Sequence, residues 1–252
     1  MAKAKHLPVL RKSPIVEATF QVNFALKPLL TEADVKAFVA KAFPTFAYKE
    51  DFFTESIAVK KKAVKDPPEE MTHRQNWAGS RFRKDNLIIT VFPDGFALGI
   101  LKPYPTDGSF FGEIEKIARG FSDRCFPSPV TRIGLRFINR FAVDSKDREP
   151  RKLFSTMPAP PSRQGCGEPV QFLYQDVFRD PSTGTVVVVN RLFPQVAGVT
   201  QEPGALLDID ASQTPNRVLD AKEFAATIDE LRYAVDKTFF GSVKRPIIEG
   251  LK

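Results

Sequence analysis

Histidine, cysteine and tryptophan are nearly absent from this chain: two, two and one in 252 residues. With only His6 and His73, no multi-histidine metal centre can be assembled. A Ser-His-Asp or Cys-His triad has almost nothing to draw on. Neither Cys125 nor Cys166 stands in a recognisable nucleophile context, and two cysteines in a chain of this size suit a reducing cytoplasm. Phosphate loops are missing too, both Gly-x-x-x-x-Gly-Lys-Ser/Thr and Gly-x-Gly-x-x-Gly after a strand. The longest apolar runs, such as Val186–Val189 and Leu87–Ile89, are too short to span a bilayer. The start, MAKAKHLPVLRK, is basic without an apolar core segment, and reads as no signal peptide.

What is present is phenylalanine and positive charge. The 23 Phe, against four Tyr, point to a core of Phe and aliphatic side chains. The net charge of +7 invites a nucleic-acid reading, so its distribution matters. Lys3, Lys5, Arg11 and Lys12 fall in a basic N-terminal arm (1–13), and Lys60, Lys61, Lys62 and Lys65 in a long connection. Lys244, Arg245 and Lys252 belong to a C-terminal tail (241–252). Lysines on arms and loops are ordinarily solvated, and the pattern favours a basic soluble protein over a dedicated nucleic-acid surface.

The twelve residues VTRIGLRFINRF, 130–141, stand apart. Ile133, Leu135, Phe137 and Phe141 alternate with Arg132, Arg136 and Arg140, a period of two that means a strand with one buried face and one face of guanidinium groups. Val16–Phe24 alternates in the same way. Thr31 with Asp34 opens a helix that Pro44 ends, and Pro93-Asp94-Gly95 is a hairpin turn between apolar runs. Phe110–Phe121 and Ala221–Phe239 read as helices, the second with a capping box at Asp220 and Glu223. Further strands are expected over 170–178, 185–193 and 205–211, with a short helix within 148–155 and a loop over 157–167. Residues 49–78 read ambiguously, part strand and part loop.

These elements predict an α+β fold with one curved, mainly antiparallel sheet and helices on one side. Residues 14–126 and 127–240 both parse as β-α-β-β-β-α, which suggests a diverged duplication forming one compact domain. Pro93–Ile100 beside Pro203–Ile209 is the tightest local match between them.

Three constellations are candidates for function. Glu17, Asp208 and Asp210 lie on polar strand faces and fit the arginines Arg132, Arg136 and Arg140 as an ion-pair network, for which the planar guanidinium fork is suited. The same residues admit a metal-phosphate reading, with Mg²⁺ or Mn²⁺ on the carboxylates. Triphosphate-tunnel enzymes, however, carry Glu-x-Glu-x-Lys on the first strand, where this chain has Glu17, Thr19, Gln21 and Asn23. Finally, Trp77, Arg81 and Arg83 form a cationic-aromatic group suited to stacking on a base, or to guarding an edge strand.

Ser13-Pro14-Ile15-Val16-Glu17, Arg132-Ile133-Gly134-Leu135-Arg136-Phe137-Ile138-Asn139-Arg140 and Leu207-Asp208-Ile209-Asp210 together resemble a sporadically distributed family of uncharacterised bacterial proteins of about this length. The resemblance runs over most of the chain and implies no particular chemistry; a patchy distribution fits mobile or defence-linked gene neighbourhoods. The residues themselves favour a non-enzymatic cytoplasmic binding protein without a cofactor, recognising a partner protein or an anionic ligand. A metal-dependent phosphoryl enzyme and a nucleic-acid binder are the alternatives.

Overall fold

The computed structural model describes residues 10–60, 70–105, 107–125, 128–142, 150–157, 172–195 and 204–252. His6, Cys166, the lysines 61, 62 and 65 and the loop over 158–167 lie outside the described residues. The first half comprises β1 (Ile15–Phe24), α1 (Glu32–Ala42), β2 (Ala47–Lys60), β3 (Glu70–Lys84), β4 (Leu87–Phe92), β5 (Gly95–Leu101) and α2 (Ser109–Cys125). The second comprises β6 (Val130–Ala142), α3 (Pro150–Leu153), β7 (Phe172–Arg179), β8 (Val186–Gln195), β9 (Gly204–Gln213), α4 (Ala221–Ser242) and α5 (Arg245–Leu251).

The nine strands form one sheet in the order β2-β3-β4-β5-β1-β6-β9-β8-β7, and every neighbouring pair is antiparallel. The two alternating strands legible in the sequence, β1 and β6, pair at its centre, with Phe20 opposite Leu135 and Thr19 opposite Arg136. The sheet grows outward from this pair on both sides.

Alternation then sorts the side chains. Ala18, Phe20, Val22 and Phe24 of β1, with Ile133, Leu135 and Phe137 of β6, are buried in one apolar core with Val35, Ile114 and Phe224 of α1, α2 and α4. Phe96 of β5 stacks on Phe121 of α2 at 4.4 Å between ring centroids, and Phe20 meets Phe224 of α4 edge-on at 6.2 Å. Burying each such side chain contributes about 1.5–3 kcal/mol. Because β1 meets α4, the core runs across both halves. Local signals set the helix starts. Asp220 and Glu223 form the expected capping box, and the Thr31 hydroxyl accepts from the Asp34 amide while donating to its carboxylate.

Two expectations need correction. The first half is not β-α-β-β-β-α: residues 47–60 form a full strand, so among the described residues five strands stand there against four in the second half. The edge-guarding account of Arg81 and Arg83 also fails, because β3 lies between β2 and β4 over Ser80–Arg83; β2 and β7 are the edges. Polar, charged side chains hid the β2/β3 ribbon. Beyond Gly79 its two strands pair only with each other among the described residues, so neither needs an apolar face to form the ladder.

Candidate functional site

The face of the sheet opposite α1, α2 and α4 carries the arginine row. Its centre is built from Glu17, Thr19, Gln21 and Asn23 of β1, Arg132, Arg136 and Arg140 of β6, and Asp208 and Asp210 of β9, all partly or more fully exposed. Antiparallel register sets Arg136 directly opposite Asp210, and Ile138 opposite Asp208. The ion pairs nonetheless run diagonally, as long side chains on adjacent strands can. Arg136 donates from Nε to Asp208 Oδ1 at 2.8 Å and from Nη2 to Oδ2 at 2.9 Å, a bidentate fork. Arg132 donates from Nη2 to both oxygens of Asp210, at 3.3 and 3.2 Å.

Gly134 makes the second pair possible. An added Cβ there would come within 2.9 Å of the Arg132 guanidinium, which lies across the bare backbone on its way to Asp210. Asn190 of β8 donates to Asp208 Oδ2 at 3.2 Å, and Gln175 of β7 donates to Asn190 at 2.7 Å, so the polar row continues to the sheet edge. Its bond to Asp208 raises the Arg136 guanidinium above its ordinary range, whereas burial pushes the Asp210 carboxyl up despite Arg132 and Arg136.

The remaining members of the predicted network are less tightly engaged with the two pairs. Glu17 accepts a hydrogen bond from Thr19 at 3.3 Å, and its charge reinforces that of the Arg136 guanidinium. Arg140 lies across Gly204, where a Cβ would meet its Nε at 3.0 Å, and its backbone amide donates to the Pro14 carbonyl at 2.9 Å. Glu17, Asp208 and Asp210 do not converge as metal ligands. Among the described residues no group of three or more His, Cys, Asp or Glu is placed to hold a metal ion.

Trp77, Arg81 and Arg83 do not form one stacking platform. Trp77 turns toward the core side and donates to Ser80 at 3.2 Å, and Ser80 donates to Asp51 at 2.6 Å. Arg81, on the opposite face, pairs with Glu50 and lies 4.5 Å from the Phe52 ring centroid. Arg83 donates to the Asp85 carbonyl at 2.6 Å. Arg81 and Arg83, two residues apart, share a face, whereas the extra residue of the register shift between Trp77 and Gly79 turns Trp77 to the other one.

No family model matches the chain, and no curated protein matches it. Among the described residues, no helix is long and apolar enough to cross a membrane.

One residue escaped the sequence reading. Arg191 of β8 is 2% exposed on the core face, bonded to Asp176 at 2.6 Å, Thr156 at 3.1 Å and Ser242 at 3.3 Å. Its signal was available: Val187, Val189 and Arg191 share one face by period two.

Proposed function

We propose that this protein is a non-enzymatic binding protein that engages a protein partner on the face of its sheet opposite α1, α2 and α4. The single observation behind this reading is that the central charges of that face are already matched within the chain. Arg132 and Arg136 are committed to Asp210 and Asp208. An anionic ligand would have to displace a bidentate carboxylate, so a free anion is the weaker occupant. What the face offers instead is a row of small or uncharged residues, Thr19, Gln21, Ala97 and Gly99, with Leu173 and Val177, 64% and 62% exposed, at the β7 edge. Non-obligate interfaces are as a whole about as apolar as the rest of a protein surface, so a mixed face of this kind is compatible with one.

A second element of the reading is ancestry. The neighbours of the central pair correspond, β5 beside β1 and β9 beside β6. These are the two strands that carry the tightest internal sequence match, and this correspondence supports a duplication followed by addition of β2. Membership of the sporadically distributed bacterial family stands with it as a proposal, as does residence in the cytoplasm.

The deciding experiment is affinity purification from the native host, with wild type beside Gln21→Arg and Val177→Lys. Variants that keep the wild-type melting temperature but lose a co-purifying protein support the open face as the interface. Retention of every partner by both variants would overturn it. Turnover of a phosphate ester with Mg²⁺, abolished by Asp208→Ala in a folded protein, would replace the reading with the metal-phosphate one.

A further inference from the structure

On the core side, at the end of the sheet where β1 begins and β6 finishes, lies a cavity of about 160 Å³. Two sequence segments that stand out independently meet there. Ile15 pairs with Asn139, the Pro14 carbonyl accepts from the Arg140 amide, and Pro14, Ile15, Phe137 and Asn139 all line the space. The volume lies well below the roughly 300 Å³ at which sites for drug-sized ligands begin, so an occupant is small.

Its charged groups form an ion pair without a hydrogen bond between them. Arg232 and Asp236, one turn apart on α4, both line it, and their closest approach is 3.9 Å, beyond hydrogen-bond reach. The Arg232 guanidinium instead lies 4.3 Å from the centroid of the Phe111 ring. Asp236, at 34% side-chain exposure, sits at the mouth, and burial pushes its carboxyl up with only Arg232 to oppose it. Deeper in, Asn139 is 1% exposed. Its amide nitrogen is spent on the carbonyls of Leu207 at 3.1 Å and Phe137 at 3.5 Å, which leaves its side-chain oxygen as an acceptor with no donor among the described residues. The hydroxyl of Tyr104 likewise makes no hydrogen bond among them, while its ring packs on Phe110 and Phe137.

A carboxylate and a guanidinium side by side without a hydrogen bond between them are poorly served by a simple ion. A lone cation would satisfy Asp236 and leave Arg232, and a lone anion would do the reverse. We propose that this cavity binds a small free α-amino acid. Its ammonium goes to Asp236, its carboxylate to Arg232, and its side chain enters between Phe137 and Phe239, where the oxygen of Asn139 offers an acceptor. A zwitterion suits the site because it carries both charged groups on one carbon and adds no net charge to a partly desolvated place.

The test uses the full chain, with the twenty L-amino acids supplied singly at up to roughly 10 mM and binding read by thermal shift and calorimetry. Each one that stabilises is compared with the amine lacking its carboxylate and the acid lacking its amine. Saturable binding of at least one amino acid is expected, with both truncated analogues and both Asp236→Asn and Arg232→Gln weaker by about tenfold or more. Both substitutions stand at half-exposed positions, and their melting temperatures without ligand verify that they fold. Absence of binding by all twenty would overturn the proposal. So would an amine or an acid alone binding as tightly as the parent amino acid.

Discussion

Arg136 does not bind Asp210, the residue directly across from it on β9, but Asp208, two positions along, through a bidentate fork of 2.8 and 2.9 Å. The diagonal leaves Asp210 to Arg132, so two arginines and two aspartates interlock across one strand junction. Asp208 is 15% exposed and Arg136 47%, which places the pair between a buried bridge and a surface one. Asp208→Ala is expected to cost about 1–2 kcal/mol and Arg136→Ala about 1 kcal/mol, below the 3–5 kcal/mol of a buried pair. Urea unfolding of the singles and the double mutant measures the coupling; additive losses would mean that the fork contributes nothing.

Asp210 is expected to behave differently. Burial raises its carboxyl above the ordinary range, so the folded protein holds this proton more readily than the unfolded chain. The sign follows: Asp210 opposes stability at neutral pH, and the penalty fades as pH falls through its folded value. Asp210→Asn should therefore cost less than Asp208→Asn and flatten this part of the stability profile. A larger loss for Asp210→Asn in the same unfolding assay would contradict the assignment.

Gly134→Ala tests how Arg132 reaches its partner. The new methyl group meets the mobile end of a side chain rather than backbone, so the arginine can move aside. The expected loss is below about 1 kcal/mol, the range of an exposed ion pair, with the Arg132–Asp210 coupling gone from a double-mutant cycle.

Asp51 supplies the acid sensitivity at the other side of the sheet. Burial alone would raise its carboxyl, but hydrogen bonds from Lys36 at 2.6 Å, Ser80 at 2.6 Å and Tyr48 at 2.7 Å outweigh this and hold it at about 2. A depressed carboxyl contributes stability that is complete above the unfolded value near 3.8 and lost as pH falls toward about 2. Acid unfolding of Asp51→Asn should show a shallower decline across that window than wild type. Identical slopes would show that the network does not hold α1 against the sheet.

Arg191 is the most exacting polar group in the core. Asp176→Ala leaves a guanidinium buried without its carboxylate and is expected to cost about 3–5 kcal/mol. Arg191→Met, which removes the charge but keeps much of the volume, should cost distinctly less. Equal losses, measured by chemical denaturation, would place the cost in packing rather than in the unpaired charge.

Much of this fold was legible beforehand because its signals are local. Period two marked β1 and β6, the Pro93-Asp94-Gly95 turn marked the β4/β5 hairpin, and Asp220 with Glu223 marked the start of α4. The ribbon of β2 and β3 was legible only in part: Phe52, Ile57, Ala58 and Val59 suggest a strand, but the flanking residues read as loop. Its apolar residues, such as Phe53 and Ile57, stay exposed among polar neighbours, of which Glu55 and His73 pair at 3.4 Å. A ribbon held mainly by its own backbone ladder leaves little hydrophobic period to read. The edge-strand reading of Arg81 failed because the pairing of residues 47–60 with β3 is not written in any local pattern.

The candidate network divides in a similar way. Alternation in the sequence placed Arg132, Arg136 and Arg140 on one strand face, and Asp208 with Asp210 on another, because side-chain direction in a strand depends only on parity. Which carboxylate meets which arginine depends on the register of β6 against β9, two segments some seventy residues apart. Only tertiary structure decided that, and it decided equally that Asp236, Arg232 and Asn139 gather around one cavity. Parity is local and written in the chain; register and convergence come from which surfaces bury one another, and no single segment carries that information.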